Sequence, residues 1–458
     1  MSGTPAGAHA SARTRALLEA PLLPQLLRLG GPNVLGLMAG TLTVLYDGWV
    51  VARLGADALA GVALVFPLVL LMVQMSGGGM GGATTAAVAR ALGAGDRARA
   101  GALVLNALWI GLAFALTYLL ALVPFARAVF GALGGRGAVL DAAVSYAQVL
   151  FGGSLLVWCA NLLSGALRGS GQTGLVSLLI VGAASVHLLL CPLLVAGAGR
   201  WPGLGVAGAA CASLVTNGLI AGVLAIVLLR GRGPLALDLR QWRPRREALR
   251  TLLRVGLPAM LSPVLSNASM ATATAWIATL GTAALAGFGL AARLEYVVLP
   301  IAFGFGNALT TMVATNLGAG RQDRARRVTW LGAALVLAIT GTLGGVAALW
   351  PQQVLQPFTR DAQVLAFGHD YLQVLGGCYG LFGMGLALFF ASQGAGRLFW
   401  PLVGSCTRLG VVALGGWAVM RLAPGHPAWL FAVVGAGFVS YAAVIAGAVA
   451  LGATWRRD

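Results

Sequence analysis

Three polar side chains with the chemistry to bind a proton or a cation lie inside long apolar segments of this chain. Asp47 precedes Arg53 by six residues, which on a helix rising 1.5 Å per residue places it about 9 Å from that charged end. His187 and Cys191 are four residues apart, so on a helix they share one face. An ionisable group at such a position is expected to face a cavity or a partner. We therefore predict an ion-coupling site that includes Asp47, His187 and Cys191.

Each of these residues also has a purely structural interpretation. Asp47 can cap or pair at its helix end, and His187 can stay neutral while hydrogen-bonded to a neighbouring helix. His187 and Cys191 supply only two metal ligands, and zinc sites use at least three protein ligands, so no metal site is predicted. Glu295, in the second half of the chain, either offers negative charge to a cationic ligand or pairs with an arginine such as Arg408.

The composition shows what kind of element must hold these groups. Of the 458 residues, 59% are hydrophobic and only 9% are charged, whereas a soluble domain carries about 25% charged residues. Helices that cross a bilayer need about 20 apolar residues each, and charge within them is costly. The chain is therefore predicted to be an all-α polytopic membrane protein with about twelve transmembrane helices. Their approximate spans are 29–53, 57–88, 98–123, 138–165, 174–198, 204–230, 250–280, 284–315, 328–350, 363–391, 399–421 and 427–452.

The basic residues indicate how the helices are oriented. All 30 of them are arginine, and they concentrate in alternate loops such as 90–99, 230–254 and 321–327. By the positive-inside rule these loops and both termini are cytoplasmic, with the protein in the inner membrane. This clustering explains the charge as a topology signal, so nucleic acid is not an expected partner. Without lysine the chain has no Walker A motif, so it is not expected to hydrolyse ATP.

The two halves of the chain repeat each other. Three motifs recur at shifts of 225 or 226 residues: LGADALAG at 54–61 as LGTAALAG at 280–287, LGAGDRAR at 92–99 as LGAGRQDRAR at 317–326, and RGSGQ at 168–172 as QGAGR at 393–397. Each half has an even number of spans, so pseudo-two-fold symmetry about the membrane normal is expected between two six-helix lobes. The predicted division is a cytoplasmic N-terminal segment at 1–28, an N-lobe of helices 1–6 at 29–230, a basic cytoplasmic linker at 231–249, a C-lobe of helices 7–12 at 250–452 and a tail at 453–458.

At these repeated segments the sequence resembles the multidrug and toxic compound extrusion (MATE) family. YDGWVVARLGADALAGVAL at 46–64 resembles the family's first helix and the start of its second. RLEYVVLPIAFGFGNALTTMVATNLGAGRQDRARR at 293–327 resembles the eighth helix and the loop after it, and ALRGSGQT at 166–173 resembles the loop between helices four and five. The resemblance implies a secondary-active exporter, not an enzyme, that exchanges H⁺ or Na⁺ for small organic compounds, often cationic and aromatic.

The resemblance also implies roles for individual residues. The acidic residues that other branches carry in the seventh and tenth helices are missing, so the chain is more similar to the DinF-type branch. That branch has a sodium-binding Asn and Asp at the spacing of His187 and Cys191, and a hydroxyl group at the position of Ser213. Sodium is a hard cation that prefers oxygen ligands, and His with Cys is a poor substitute. The expected coupling ion is therefore the proton, with Asp47 as the coupling carboxylate and His187, Cys191 and Ser213 in the same site.

Asp47 and Glu295 are the expected substrate-binding residues. The expected partners are a small organic substrate, the coupling ion and the lipid bilayer; no cofactor is expected, and the chain is expected to be a monomer. Two transport alternatives are a lipid-linked saccharide flippase of the same superfamily and a Na⁺-coupled drug antiporter. A membrane-embedded enzyme is a third, because Asp47, His187, Cys191 and Ser213 lie at one depth, but no nucleophile motif supports it.

Overall fold

The computed structural model describes residues 12–198, 201–231, 242–423 and 427–455, together with linker positions 235, 237, 238 and 240. In the first half the elements are α1 (Ala12–Glu19), α2 (Leu22–Ala52), α3 (Ala56–Gln74), a π-helix (Met75–Gly81), α4 (Gly82–Gly93), α5 (Arg97–Leu122), α6 (Ala126–Ala132), α7 (Gly137–Gly152), α8 (Ser154–Gly169), α9 (Thr173–Ala196), β1 (Gly197–Ala198), β2 (Trp201–Pro202) and α10 (Val206–Leu229). In the second half they are α11 (Arg246–Ala278), α12 (Thr282–Ala291), a 3₁₀ turn (Ala292–Leu294), α13 (Glu295–Gly318), α14 (Gln322–Leu349), α15 (Pro351–Leu355), α16 (Ala362–Gly376), α17 (Tyr379–Ala395), α18 (Phe399–Leu422) and α19 (Pro427–Ala450). The two short strands pair antiparallel between α9 and α10.

The predicted all-α membrane fold is confirmed. Within the described ranges, ten helices are long and apolar enough to cross a membrane, and two bent helix pairs raise the number to twelve if each pair is one span. The pairs are α7 with α8, bent by 49°, and α16 with α17, bent by 53°. The sequence predicted each pair as one continuous span. Adjacent glycines, Gly152–Gly153 and Gly376–Gly377, lie at the two breaks, where the missing side chains let the helix bend.

The glycine-rich run after α3 forms the π-helix instead of ordinary α-helix. Asn161 Nδ2 donates a hydrogen bond to Ser76 Oγ at 2.8 Å, which ties the π-helix to α8. A side chain at Gly81 would meet the carbonyl oxygen of Asn161 at 3.2 Å. The run therefore serves close helix packing.

The described residues form two compact units whose boundaries cut across three helices, α1, α2 and α11. Among these residues, the first unit contains the start of α1, up to Ala16, and Leu35–Met260, and the second contains Leu17–Val34 and the part of the chain that follows Met260. The start of α2 thus belongs to the second unit, and the start of α11 belongs to the first. The predicted lobes at 29–230 and 250–452 did not include this exchange.

Specific contacts explain the exchange of helix ends. In the second unit, Asn33 Nδ2 of α2 donates to the carbonyl of Gly304 at 3.3 Å. In the first unit, a side chain at Gly79 would lie 2.6 Å from Met260 Cγ, so α11 packs directly on the π-helix. Helices α2 and α11 have 31 and 33 residues, more than the roughly 20 that a bilayer crossing needs. The first turns of each helix can therefore belong to a different unit from the rest of the helix. The predicted terminal segment, linker and tail lie partly outside the described residues, and their cytoplasmic placement stays a prediction.

The short helix α1 is held by side chains from the end of α13, the start of α14 and the loop between them. Asn316 Nδ2 donates to the carbonyl of Leu17 at 3.3 Å, and Arg321 Nη1 donates to that of Leu18 at 2.7 Å. Arg324 donates to the carbonyl of Ala20. These side chains satisfy carbonyl groups at the end of α1 that have no partner within the helix. The arginines of this repeated loop therefore make structural contacts.

The sequence repeat is also a repeat of packing contacts. In the first unit, Thr85 Oγ1 donates to the carbonyl of Gly165 at 2.8 Å. In the second, Thr310 Oγ1 donates to the carbonyl of Phe390 at 2.9 Å. Both members of the second contact lie 225 residues after those of the first (310 − 85 and 390 − 165). Each unit therefore contains the same contact between corresponding helices.

Candidate functional site

The centre of the candidate site is a contact between the Asp47 carboxylate and the His187 imidazole. Asp47 lies on α2 and His187 on α9, and Asp47 Oδ1 is 2.6 Å from His187 Nε2. The His187 side chain is 2% exposed and that of Asp47 is 20% exposed. At this distance the two atoms share a hydrogen bond, and the tautomer of the imidazole decides which of them is the donor. An ionisable residue within a membrane span is expected to face a cavity or a partner, and the partner of Asp47 is His187.

Cys191 completes a three-residue cluster. It lies one turn after His187 on α9 and is fully buried in the apolar core of the first unit, which also contains Phe130 and Phe151. One ligand atom each of Asp47, His187 and Cys191 lies within 4.8 Å of the others. His187 and Cys191 thus present the same face of α9 to Asp47, as their spacing predicted.

The cluster lies beside a cavity of about 390 Å³ in the first unit, a size that suits a small organic ligand. Most of its wall is apolar, with Val62, Phe66 and Val69 of α3 among the lining residues. Its polar lining residues are Thr43, Asp47, Tyr146, Asn161, His187, Ser213, Thr216 and Asn217. Ser213, predicted from the sequence, therefore shares the cavity with Asp47 and His187. The cavity thus combines a mostly apolar wall with a single carboxylate.

Sequence reasoning missed the tyrosine and the two amides of this cavity. Tyr146, 8% exposed, interacts electrostatically with both Asp47 and Cys191. Asn217 Nδ2 donates to the carbonyl of Ser213 at 2.8 Å, one turn earlier on α10. The repeat contained a usable signal, because Tyr146 recurs as Tyr371 at a shift of 225. Uncharged residues such as asparagine, by contrast, give no such signal in an apolar sequence.

Glu295 lies in the second unit and is not among the residues that line the cavity of the first. It interacts electrostatically with Arg408 and Tyr371. Its Oε1 atom is buried and makes no hydrogen bond within the described part of the chain. The guanidinium carbon of Arg408 lies 4.9 Å from the ring centroid of Phe382 and 4.7 Å from that of Phe438. The structure thus brings together Asp47, His187, Cys191 and Ser213, and it places Glu295 beside its alternative partner Arg408.

Comparisons with known proteins show the family. The MatE family model matches residues 32–193 and 258–417, more than half of the chain, so the chain belongs to this family. It is 29% identical over 382 residues to the FAD transporter of Shewanella oneidensis, covering 82% of each chain. It is also 29% identical over 423 residues to the probable multidrug resistance protein NorM of Deinococcus radiodurans, covering 88% of this chain and 89% of that one.

Solved structures show the same fold. A MOP superfamily transporter from Pyrococcus furiosus, described as having a binding pocket of reverse polarity, has a TM-score of 0.89 at 24% identity, over 98% of this chain and all of that chain. A crystal structure of MATE in the straight conformation also has a TM-score of 0.89 at 24% identity, over 97% of this chain and 99% of that one. The chain is therefore a multi-pass membrane protein of a family of small-molecule transporters. The assignment to the DinF-type branch stays a prediction.

Proposed function

We propose that this protein exports small organic cations from the cell in exchange for protons, with Asp47 as the coupling carboxylate. The observation that carries this proposal is the contact of 2.6 Å between Asp47 and His187 at the wall of an apolar cavity. Proton and substrate then compete for one negative charge. An inner-membrane location with both termini in the cytoplasm belongs to the same proposal.

The competition between proton and substrate gives a simple mechanism for exchange. With Asp47 ionised, the cavity attracts a cation, and its apolar wall buries the organic part of the substrate. A proton that enters from outside neutralises Asp47 and removes the attraction, so the substrate leaves. Coupling further requires that the protonated and the substrate-bound forms prefer different conformations, because a ligand shifts an equilibrium only by its differential affinity.

The residues around Asp47 favour the proton over sodium. Within the described residues, His187, Cys191 and Tyr146 interact with its carboxylate, and none of these groups is a good ligand for a hard cation. His187 can share the proton with Asp47. Ser213 and Cys191 are proposed to complete the polar wall of the same coupling site.

Glu295 is proposed as a second carboxylate for cationic substrates, in the second unit. Its Oε1 atom has no hydrogen-bond partner among the described residues, which leaves an acceptor for a ligand. Replacing it by Gln keeps the size and removes the charge. Glu295→Gln is expected to raise the half-saturating concentration of a permanently charged cation several-fold and to leave that of a neutral aromatic substrate unchanged. An equal effect on both substrates would assign Glu295 to structure, through Arg408.

The relative that transports FAD supports a second candidate substrate, a flavin dinucleotide. Its diphosphate is anionic and would be repelled by ionised Asp47, which makes organic cations the better fit to the cavity. A lipid-linked saccharide has an anionic carrier and meets the same objection. Both are included as alternative cargo in the transport assay.

The decisive experiment is efflux of a fluorescent organic cation from proteoliposomes under an imposed pH gradient or an imposed Na⁺ gradient. All buffers contain a chelator, so that trace metal ions cannot bind to the polar side chains around Asp47. Wild type is compared with Asp47→Asn. Asp57→Asn is the matched control, because Asp57 is an exposed carboxylate in the first turn of α3.

The pH gradient is expected to drive efflux by wild type and by Asp57→Asn, whereas Asp47→Asn loses gradient-driven efflux. Transport that follows only the Na⁺ gradient would replace proton coupling by sodium coupling. Movement of FAD or of a lipid-linked saccharide, with no movement of any cation, would overturn the proposed substrate class.

A further inference from the structure

The cluster of Asp47, His187 and Cys191 has the donor set of a transition-metal site. We propose that these three side chains bind a thiophilic divalent cation such as Zn²⁺, which competes with the proton for Asp47. Metal binding is argued from the geometry of the cluster alone, whereas its effect on transport rests on the proposed function. The sequence offered only two ligands, and the structure supplies the third by placing Asp47 of α2 against α9.

The chemistry of the three donors selects the metal. One carboxylate oxygen, one imidazole nitrogen and one thiolate sulfur are the ligand types that proteins use for zinc. Hard cations such as Ca²⁺ and Mg²⁺ need six or more oxygen ligands, and this cluster has a single carboxylate. Spacing also fits, because His187 and Cys191 are one helical turn apart, the spacing with which paired ligands of one helix reach a single metal ion.

The distances require only small movements. Bonds of about 2.0 Å to oxygen and nitrogen and about 2.3 Å to sulfur place tetrahedral zinc ligands about 3.3–3.6 Å from one another. The Asp47–His187 contact of 2.6 Å must therefore open slightly, and all three ligand atoms already lie within 4.8 Å of one another. Rotation of side chains is sufficient for this change, since the ligands come from only two helices.

The cluster has an open side. Asp47 and His187 line the cavity, so a metal ion can enter from it and keep a water molecule as its fourth ligand. Three protein ligands with one open position is the arrangement of catalytic zinc sites, whereas structural sites have four protein ligands. The proposed site therefore leaves one metal position open to the cavity.

Binding has a defined proton balance. The metal ion forms bonds to Asp47, His187 and Cys191. The Cys191 thiol releases its proton to water, and the proton between Asp47 and His187 leaves either for water or, in the neutral pair, for Nδ1 of the His187 ring. No oxidation state changes, so no redox partner is required. The metal takes the place of the proton that Asp47 and His187 share. Under the proposed function, a bound Zn²⁺ therefore blocks proton exchange from the cavity side.

The test is a titration of the purified full-length protein with Co²⁺, followed by back-titration with Zn²⁺. A thiolate bound to Co²⁺ gives a charge-transfer absorption in the near ultraviolet, which reports coordination by cysteine independently of transport. The variants are Cys191→Ser and His187→Asn. The control is Cys211→Ser, which removes a half-buried thiol of the same unit. Thermal unfolding of each variant confirms that it is folded.

One equivalent of Co²⁺ is expected to give the thiolate band in wild type and in Cys211→Ser, with displacement by Zn²⁺. Cys191→Ser is expected to lose the band and His187→Asn to weaken binding at least tenfold. Absence of the band in wild type would overturn the proposal, as would its persistence in Cys191→Ser. Loss of the band on replacing the exposed Cys406 by serine would also overturn it, because it would assign the thiolate to Cys406. If Zn²⁺ binds in this way but a pH gradient drives no efflux, the proposed function fails and the metal site stands.

Discussion

The two units of this protein share their helix packing and differ in their buried polar groups. A side chain at Gly169 would lie 2.6 Å from the carbonyl oxygen of Thr85, and one at Gly394 would lie 2.8 Å from that of Thr310. Both residues of the second contact are 225 positions after those of the first (394 − 169 and 310 − 85). The packing of a duplicated membrane fold is thus preserved at the level of single contacts, because helices that approach this closely tolerate few replacements.

The polar groups of the candidate site do not follow the repeat. At a shift of 225, His187 and Cys191 correspond to Val412 and Gly416, which can neither bind a proton nor coordinate a metal. The shared Tyr146 and its counterpart Tyr371 lie beside different carboxylates, Asp47 in the first unit and Glu295 in the second.

The second unit instead places Glu295 beside Arg408, which is 6% exposed. The difference teaches that the two copies share the helix contacts of the scaffold, whereas each has its own buried polar groups. In the first unit the polar group lies at a cavity, and in the second a carboxylate lies near a buried arginine.

The largest effect on stability is expected from removing that buried positive charge. Arg408→Leu leaves Glu295 without its compensating partner, and breaking such a pair typically costs about 3–5 kcal/mol. The measurement is the free energy of unfolding, or the shift of the thermal midpoint, of the purified protein. Adding Glu295→Gln to Arg408→Leu is expected to restore most of the loss.

Asp47→Asn is the matched change in the first unit. Asp47 is 20% exposed, so its replacement is expected to alter stability by no more than about 1 kcal/mol while abolishing transport. Equal losses of stability in Arg408→Leu and Asp47→Asn would remove the distinction between a structural and a functional site.

Equal, intermediate effects are expected from the paired glycines. Gly169→Ala and Gly394→Ala each place a methyl group against a backbone carbonyl and force two helices apart, at a cost of about 1–3 kcal/mol. The control is Gly222→Ala on α10, where no atom lies within 4 Å, and where alanine is expected to stabilise by up to about 1 kcal/mol. Unfolding midpoints that differ widely between the two pairs would show that the repeat of contacts does not carry equal energy.

The smallest effects are expected from the paired hydroxyl groups. Thr85→Val and Thr310→Val each remove one hydrogen bond between helices, worth about 0.6 kcal/mol in a membrane protein. Thr117→Val is the control, because Thr117 bonds only to its own helix, at the carbonyl of Ala113. The prediction fails if either paired variant is indistinguishable from this control in its unfolding midpoint.

The sequence alone was sufficient for the fold class, the repeat and the family. Apolar runs reveal spans because each helix must itself be apolar to cross a bilayer. The repeat was visible because LGADALAG and LGAGDRAR return with few changes. The bends within α7–α8 and α16–α17 were not predicted, since a glycine pair permits a bend without requiring one.

The candidate site was only partly predictable. The one-turn spacing of His187 and Cys191 placed them on the same face from the sequence alone. That this face meets Asp47, 140 residues away, was decided only by the tertiary structure, as was the placement of Glu295 near Arg408. Spacing along one helix fixes which side chains are neighbours on it, whereas contacts between helices depend on how many weak packing interactions are satisfied together.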